Sequence, residues 1–143
     1  MSTQTSIRIL NVVDHPLFRE GMATVIRNQP DMLLVAEAAS GREALQRFRE
    51  HRPDVTLMDL RLSDSSGIDT MIAIHTHFPE ARIVHLFNFP GDVEIQRALE
   101  AGAWGYILKT MHPREMVEMI RQVYLGMKGV PPSNAAPLCR AAR

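Results

Sequence analysis

The sequence predicts an α/β fold: five parallel strands in one sheet, with helices on both faces. Three observations carry this. Five short apolar runs recur, and each is followed by a segment whose apolar residues return at helical spacing. Pro and Gly punctuate the junctions. Ionisable residues stand directly after the first, third and fifth runs, at Asp14, Asp59 and Lys109. In an open parallel sheet that edge is where ligands bind.

Ile7 to Val13 is the first strand, nearly all apolar, and Asp14-His15-Pro16 ends it and opens a helix. Pro suits a first helical turn, and Asp or His before it can cap. Leu17, Phe18, Met22, Val25 and Ile26 form that helix's apolar face, up to Pro30. Met32 to Ala38 is a second strand, and Ser40-Gly41 opens a second helix bearing Ala44, Leu45 and Phe48. Pro53 precedes the third strand, Asp54 to Met58. Ser66 to Phe78 is a third helix with Ile68, Met71, Ile72 and His75 facing inward. Arg82 to Leu86 is a fourth strand, and the helix Asp92 to Ala101 is closed by Gly102. Trp104 to Leu108 is the fifth strand, and Pro113 to Leu125 the fifth helix. Such alternation implies a doubly wound sheet. At this size it corresponds to a flavodoxin-like (βα)5 arrangement, although the pattern itself leaves strand order open.

Composition narrows the function. A chain of 143 residues suits one domain with a core of its own. We place this domain at residues 7–126 and read 127–143, rich in Gly and Pro at its start, as linker and tail. Sixteen basic residues balance sixteen acidic ones, so there is no electrostatic footprint for nucleic acid or an anionic membrane. The one cysteine, Cys139, cannot form an internal disulfide, which fits a reducing, cytoplasmic setting. The polar start is unlike a signal peptide, and no apolar run approaches the roughly 20 residues that span a bilayer.

Asp14 and Asp59 at one sheet edge repel unless a cation lies between them, and Mg2+ accepts carboxylates, a carbonyl and waters. Lys109 adds a point charge for an anion such as a phosphoryl group. Singly, each residue has a plainer reading: Asp59 as a turn former, Asp14 as a helix cap, Lys109 as a solvated loop lysine. Their coincidence on three strands favours phosphoryl transfer to Asp59. A hydrolase using Asp59 as nucleophile would usually carry a second acid two positions on, where Arg61 stands. Flavin binding lacks its phosphate cradle after the first strand. His85 reads as a packed strand residue, and Met58, Met71, Met116 and Met119 as core. Trp104 reads either as a partly exposed interface anchor or as buried under the fourth helix.

These segments resemble the response-regulator receiver domain of two-component signalling, in the subfamily with LuxR-type helix-turn-helix output. The resemblance rests on Ile7 to Leu10 with Asp14 to Gly21, on Pro53 to Val55 with Leu57 to Leu60, and on Ala101 to Ala103 with Gly105 to Lys109. It implies that Asp59 is the phosphoacceptor and that Lys109 contacts the phosphoryl oxygens. By the same resemblance Asp14, Asp59 and the backbone carbonyl of Arg61 bind Mg2+, and Tyr106 is the aromatic switch residue. It further implies phosphoryl transfer from a sensor histidine kinase, a homodimer or other partner contact, a signalling module rather than an enzyme, and a tail leading toward a DNA-binding output domain. No nucleic acid is expected to bind through this chain itself.

The chain departs from the family at the site. Val13 stands where the first of two tandem acids is usual, Phe87 where Ser or Thr ends the fourth strand, and Ser63 where Pro is usual. A one-residue slip would instead put Asn88 at the hydroxyl position. Losing an acid commonly weakens metal binding or activity about 10–100-fold. Losing the hydroxyl removes a charge-assisted contact of roughly 1.5–3 kcal/mol. A degenerate receiver with weak Mg2+ binding and impaired phosphorylation follows, with Phe87 holding one switch state. The alternative is a pseudo-receiver acting as a phosphorylation-independent interaction scaffold.

Overall fold

The computed structural model describes residues 6–127. It contains β1 (Ile7–Val12), α1 (Pro16–Arg27), β2 (Met32–Ala38), α2 (Gly41–His51), β3 (Val55–Asp59), α3 (Gly67–His77), β4 (Ile83–Phe87), α4 (Glu94–Glu100), β5 (Gly105–Leu108) and α5 (Pro113–Tyr124). The tail assigned to 127–143 lies outside the described residues apart from Met127.

The strands form one sheet in the order β2-β1-β3-β4-β5, parallel throughout. This is the flavodoxin-like order, and its direction of winding reverses between β1 and β3. Alternate strand residues feed two apolar layers. Leu10, Val12, Met58, Phe87 and Tyr106 pack with residues of α2, α3 and α4. Ile9, Val13, Leu57, Leu86 and Ile107 pack with residues of α1 and α5. Met58, Met71, Met116, Met119 and His85 are all buried, as their sequence context indicated.

Several residues lie elsewhere than their pattern predicts. Leu17 is 77% exposed. It lies five residues before buried Met22, which at 3.6 residues per turn puts it on the far side of α1. Ile72 is likewise exposed, because a 100° step from Met71 carries it just past the inward arc held by Ile68, Met71 and Ile74. His15, not Asp14, caps α1, its side chain accepting from the Phe18 amide. α4 is shorter than expected, starting at Glu94, because Asp92 stays outside the helix. Its carboxylate accepts the Glu94 amide (2.9 Å) and its carbonyl the Ile95 amide (3.1 Å).

The fourth strand is displaced by one residue, and the fifth starts one residue later than expected. Phe87 belongs to β4 and pairs with Leu108, whereas Trp104 precedes β5. Trp104 is half-buried, with the Arg82 guanidinium 4.8 Å above its ring. That guanidinium also donates to the Val123 and Tyr124 carbonyls at the end of α5 (2.9 and 2.7 Å). Trp104 is thus part of a staple between β4 and α5 rather than a projecting anchor or a residue under α4.

Candidate functional site

Asp59 is the last residue of β3 and only 8% exposed. Both carboxylate oxygens are engaged. The Leu60 amide donates to Oδ1 at 2.9 Å, and Lys109 Nζ donates to Oδ2 at 3.0 Å. Lys109 follows β5, fifty residues away in sequence, and reaches Asp59 across the end of β4. Its own amide donates to the Phe87 carbonyl at 2.7 Å, which fixes the base of the side chain. Its ammonium lies 5.0 Å from the centre of the Phe18 ring on α1. Lys109 is therefore held between a carboxylate and an aromatic face. The contribution of Phe18 has no sequence signal, since its spacing on α1 reads only as core.

The register Val12↔Met58 puts Asp14 and Asp59 at the same edge, with Asp14 exposed. Val13 is fully buried, its carbonyl accepts Arg19 Nη1 at 2.9 Å, and its side chain brings no oxygen to this edge. The loop after β3 is a small closed hairpin. Gly67 N donates to the Leu60 carbonyl (2.6 Å), Leu62 N to the Ser65 carbonyl (2.9 Å), and Arg61 bridges to Ser66. Gly67 permits this closure, because a Cβ there would run into the Asp59 carbonyl.

Phe87 is 1% exposed and meets Tyr106, itself fully buried, edge-on at 5.7 Å and 90°. His85, fully buried, lies 6.4 Å from Phe87 and is the register partner of Tyr106. Its Nδ1 bonds the Met58 carbonyl at 3.3 Å, and burial pushes its pKa down to about 4. His85, Phe87 and Tyr106 thus form a buried cluster on β4 and β5, next to the strand that carries Asp59. Asn88, the alternative to Phe87 at the strand end, is exposed just beyond β4. A groove of about 430 Å³ adjoins Lys109 between α1 and α5, lined mostly by apolar residues including Leu17, Phe18, Met22 and Met116.

Among the described residues no three His, Cys, Asp or Glu side chains gather to hold a metal, and no helix is long and apolar enough to cross a membrane. The oxygens on offer at this edge are the two carboxylates and main-chain carbonyls. Such a set suits a hard cation that keeps several waters, as Mg2+ does, and does not suit zinc.

Comparison with known proteins agrees with this geometry. The response regulator receiver domain family matches residues 9–121. The response regulator protein VraR of Staphylococcus epidermidis is 36% identical over 121 residues, covering 85% of this chain and 58% of that protein. VraR of Staphylococcus aureus matches to the same extent. The chain thus spans a little over half the length of these relatives. A two-component response regulator of the LuxR family from Aurantimonas sp. SI85-9A1 superposes with a TM-score of 0.88 at 35% identity, covering 96% of this chain and 99% of that one. The signal receiver domain of the putative response regulator NarL from Mycobacterium tuberculosis superposes at 0.81 with 29% identity, covering 85% and 98%. With a family match across most of the chain, a sheet in the 2-1-3-4-5 order and an Asp–Lys pair at its carboxyl edge, this chain belongs to the response regulator receiver domains of two-component systems.

Proposed function

We propose that this receiver accepts a phosphoryl group on Asp59 from the phosphohistidine of a sensor histidine kinase. The observation that carries the reading is the 3.0 Å contact of Lys109 Nζ with Asp59 Oδ2 in a nearly buried strand-end setting. A carboxylate oxygen attacks phosphorus, an acyl phosphate bond forms, and the P–N bond breaks as imidazole leaves with its electron pair. Negative charge then lies on the phosphoryl oxygens, and Lys109 is within reach to follow it. Asp14, Asp59 and the Arg61 carbonyl would hold Mg2+, which supplies further charge neutralisation when bound. The role is that of an acceptor module rather than a turnover enzyme. The groove beside Lys109 supports a partner face between α1 and α5, for the kinase or for a second copy in a homodimer.

Intact-mass measurement after incubation with Mg2+ and a small phosphodonor tests the assignment. We expect one phosphoryl adduct, absent in Asp59→Asn. An adduct that persists in that variant would move the acceptor elsewhere, and no adduct in either protein would favour the scaffold reading.

Phosphorylation should be slow for a receiver, a reading that two residues support. Val13 has no side-chain oxygen to give the metal edge, and Phe87 fills with a ring the end of β4 where the resemblance implies a hydroxyl. Phe87→Thr restores a donor for a phosphoryl oxygen and should raise the phosphorylation rate about tenfold, the lower end of a charge-assisted contact. The rate is read by mass against time. An unchanged rate in a folded variant would clear Phe87 of that role. The same ring packs edge-on against Tyr106, which supports one fixed switch state.

A further inference from the structure

We propose that Asp64 is a positioning residue of the phosphoryl site, clamping the loop after β3 onto the N-terminus of α2 and so setting where the Arg61 carbonyl faces. The proposal rests on the receiver reading and concerns a residue outside the acceptor, metal and switch positions. Asp64 Oδ1 accepts the Gly41 amide at 2.7 Å and Oδ2 the Arg42 amide at 3.1 Å. One carboxylate therefore takes the first two orphan amides of a helix 22 and 23 residues away in sequence. The third, Glu43 N, goes to Ser40 Oγ of α2's own cap. The Gly41 and Arg42 amides hold the Asp64 carboxyl below the ordinary carboxylate range, so it is ionised and bonded at neutral pH.

The clamp acts on the hairpin that presents Arg61. Arg61 is bridged to Ser66, and Leu62 N donates to the Ser65 carbonyl. Asp64 lies inside that turn, so holding it holds both limbs. Ser65 Oγ ties the turn to Thr70 on α3 at 3.0 Å. The bonds from Ser63 to the loop before α2 are long: Ser63 N and Oγ reach the Ala39 carbonyl at only 3.5 and 3.4 Å. The approach leaves little room at Gly41, where a Cβ would press on the hydroxyls of Ser65 and Thr70. Ser63 stands where a ring would otherwise stiffen the loop, and the Asp64 carboxylate restrains the same turn by bonding instead.

Mg2+ titration calorimetry on the full chain, without phosphodonor, tests this together with amide hydrogen exchange. Asp64→Ala should bind Mg2+ about tenfold more weakly, and Asp64→Asn, which keeps one acceptor, should lose less. The Gly41, Arg42 and Leu62 amides should exchange faster in Asp64→Ala. Ser40→Ala removes a cap of the same helix without touching the loop. It should lower the thermal midpoint while leaving Mg2+ affinity unchanged. Wild-type affinity in Asp64→Ala overturns the proposal alone, as does an equal loss in Ser40→Ala. A wild-type chain that binds no Mg2+ and takes no phosphoryl group overturns the site reading and the proposal with it.

Discussion

Gly67→Ala is expected to destabilise the protein by roughly 3 kcal/mol, with loss of phosphoryl acceptance at Asp59. On helix propensity alone the change should help, since Ala exceeds Gly by up to about 1 kcal/mol in a helix interior. Gly67 is the first residue of α3, where that gain is smaller still. Against it stands a collision between the new Cβ and the main-chain carbonyl of Asp59, with the Leu60 Cα also close. Main chain at a strand end cannot rotate away as a side chain can. α3 must therefore retreat, and the 2.6 Å bond from Gly67 N to the Leu60 carbonyl goes with it. The displaced atoms belong to Asp59, the proposed acceptor. Gly41→Ala makes the contrast: its new Cβ meets the hydroxyls of Ser65 and Thr70, which can turn aside, so its cost should be smaller. Urea unfolding of both variants compares the two costs, and intact mass reads phosphorylation. A Gly67→Ala protein as stable as wild type would show that α3 is free to move off β3.

Acid should destabilise the fold through His85 by about 3 kcal/mol between pH 6.5 and about 4. The ring is fully buried beside Phe87, and burial is the largest cause of its lowered pKa. The Met58 carbonyl pushes the other way, and His75 on α3 adds a smaller lowering. The folded pKa is thus below the unfolded value of 6.5, so the unfolded chain binds the extra proton first as pH falls. Stability contributed by neutral His85 is complete above pH 6.5 and is lost progressively down to about 4. His85→Leu removes the titration while keeping an apolar side chain. Stability against pH, measured by urea unfolding, should fall less steeply in this variant over that window. Carboxylates titrating elsewhere lower both curves alike, so the difference isolates His85. Parallel curves would show that the ring reaches solvent or another partner.

Much of this site was legible in the sequence. Asp59, Asp14 and Lys109 each follow an apolar run, and a parallel sheet brings such positions to one edge whatever the strand order. The doubly wound (βα)5 class followed from the alternation of periods, and the buried methionines from their spacing. The order 2-1-3-4-5 was not legible, because a crossover helix can return its strand on either side of the sheet and apolar runs do not name their neighbours. Leu17 and Ile72 were misplaced because periodicity fixes which residues share a stripe but not how wide the covered arc is. The strand limits around Phe87 and Trp104 depended on pairing across β4 and β5, which no local window contains.

The sequence by itself determined the class of fold and the placing of Asp14, Asp59 and Lys109 after three apolar runs, at what becomes one edge of the sheet. Tertiary structure alone decided the rest: the 3.0 Å approach of Lys109 to Asp59, the Phe18 ring beneath that lysine, and the edge-on packing of Phe87 on Tyr106. It also decided the reach of Asp64 to α2. The physical reason is common to all of them. Each joins groups far apart along the chain, and their distance is set by how helices seat on the sheet rather than by local propensity.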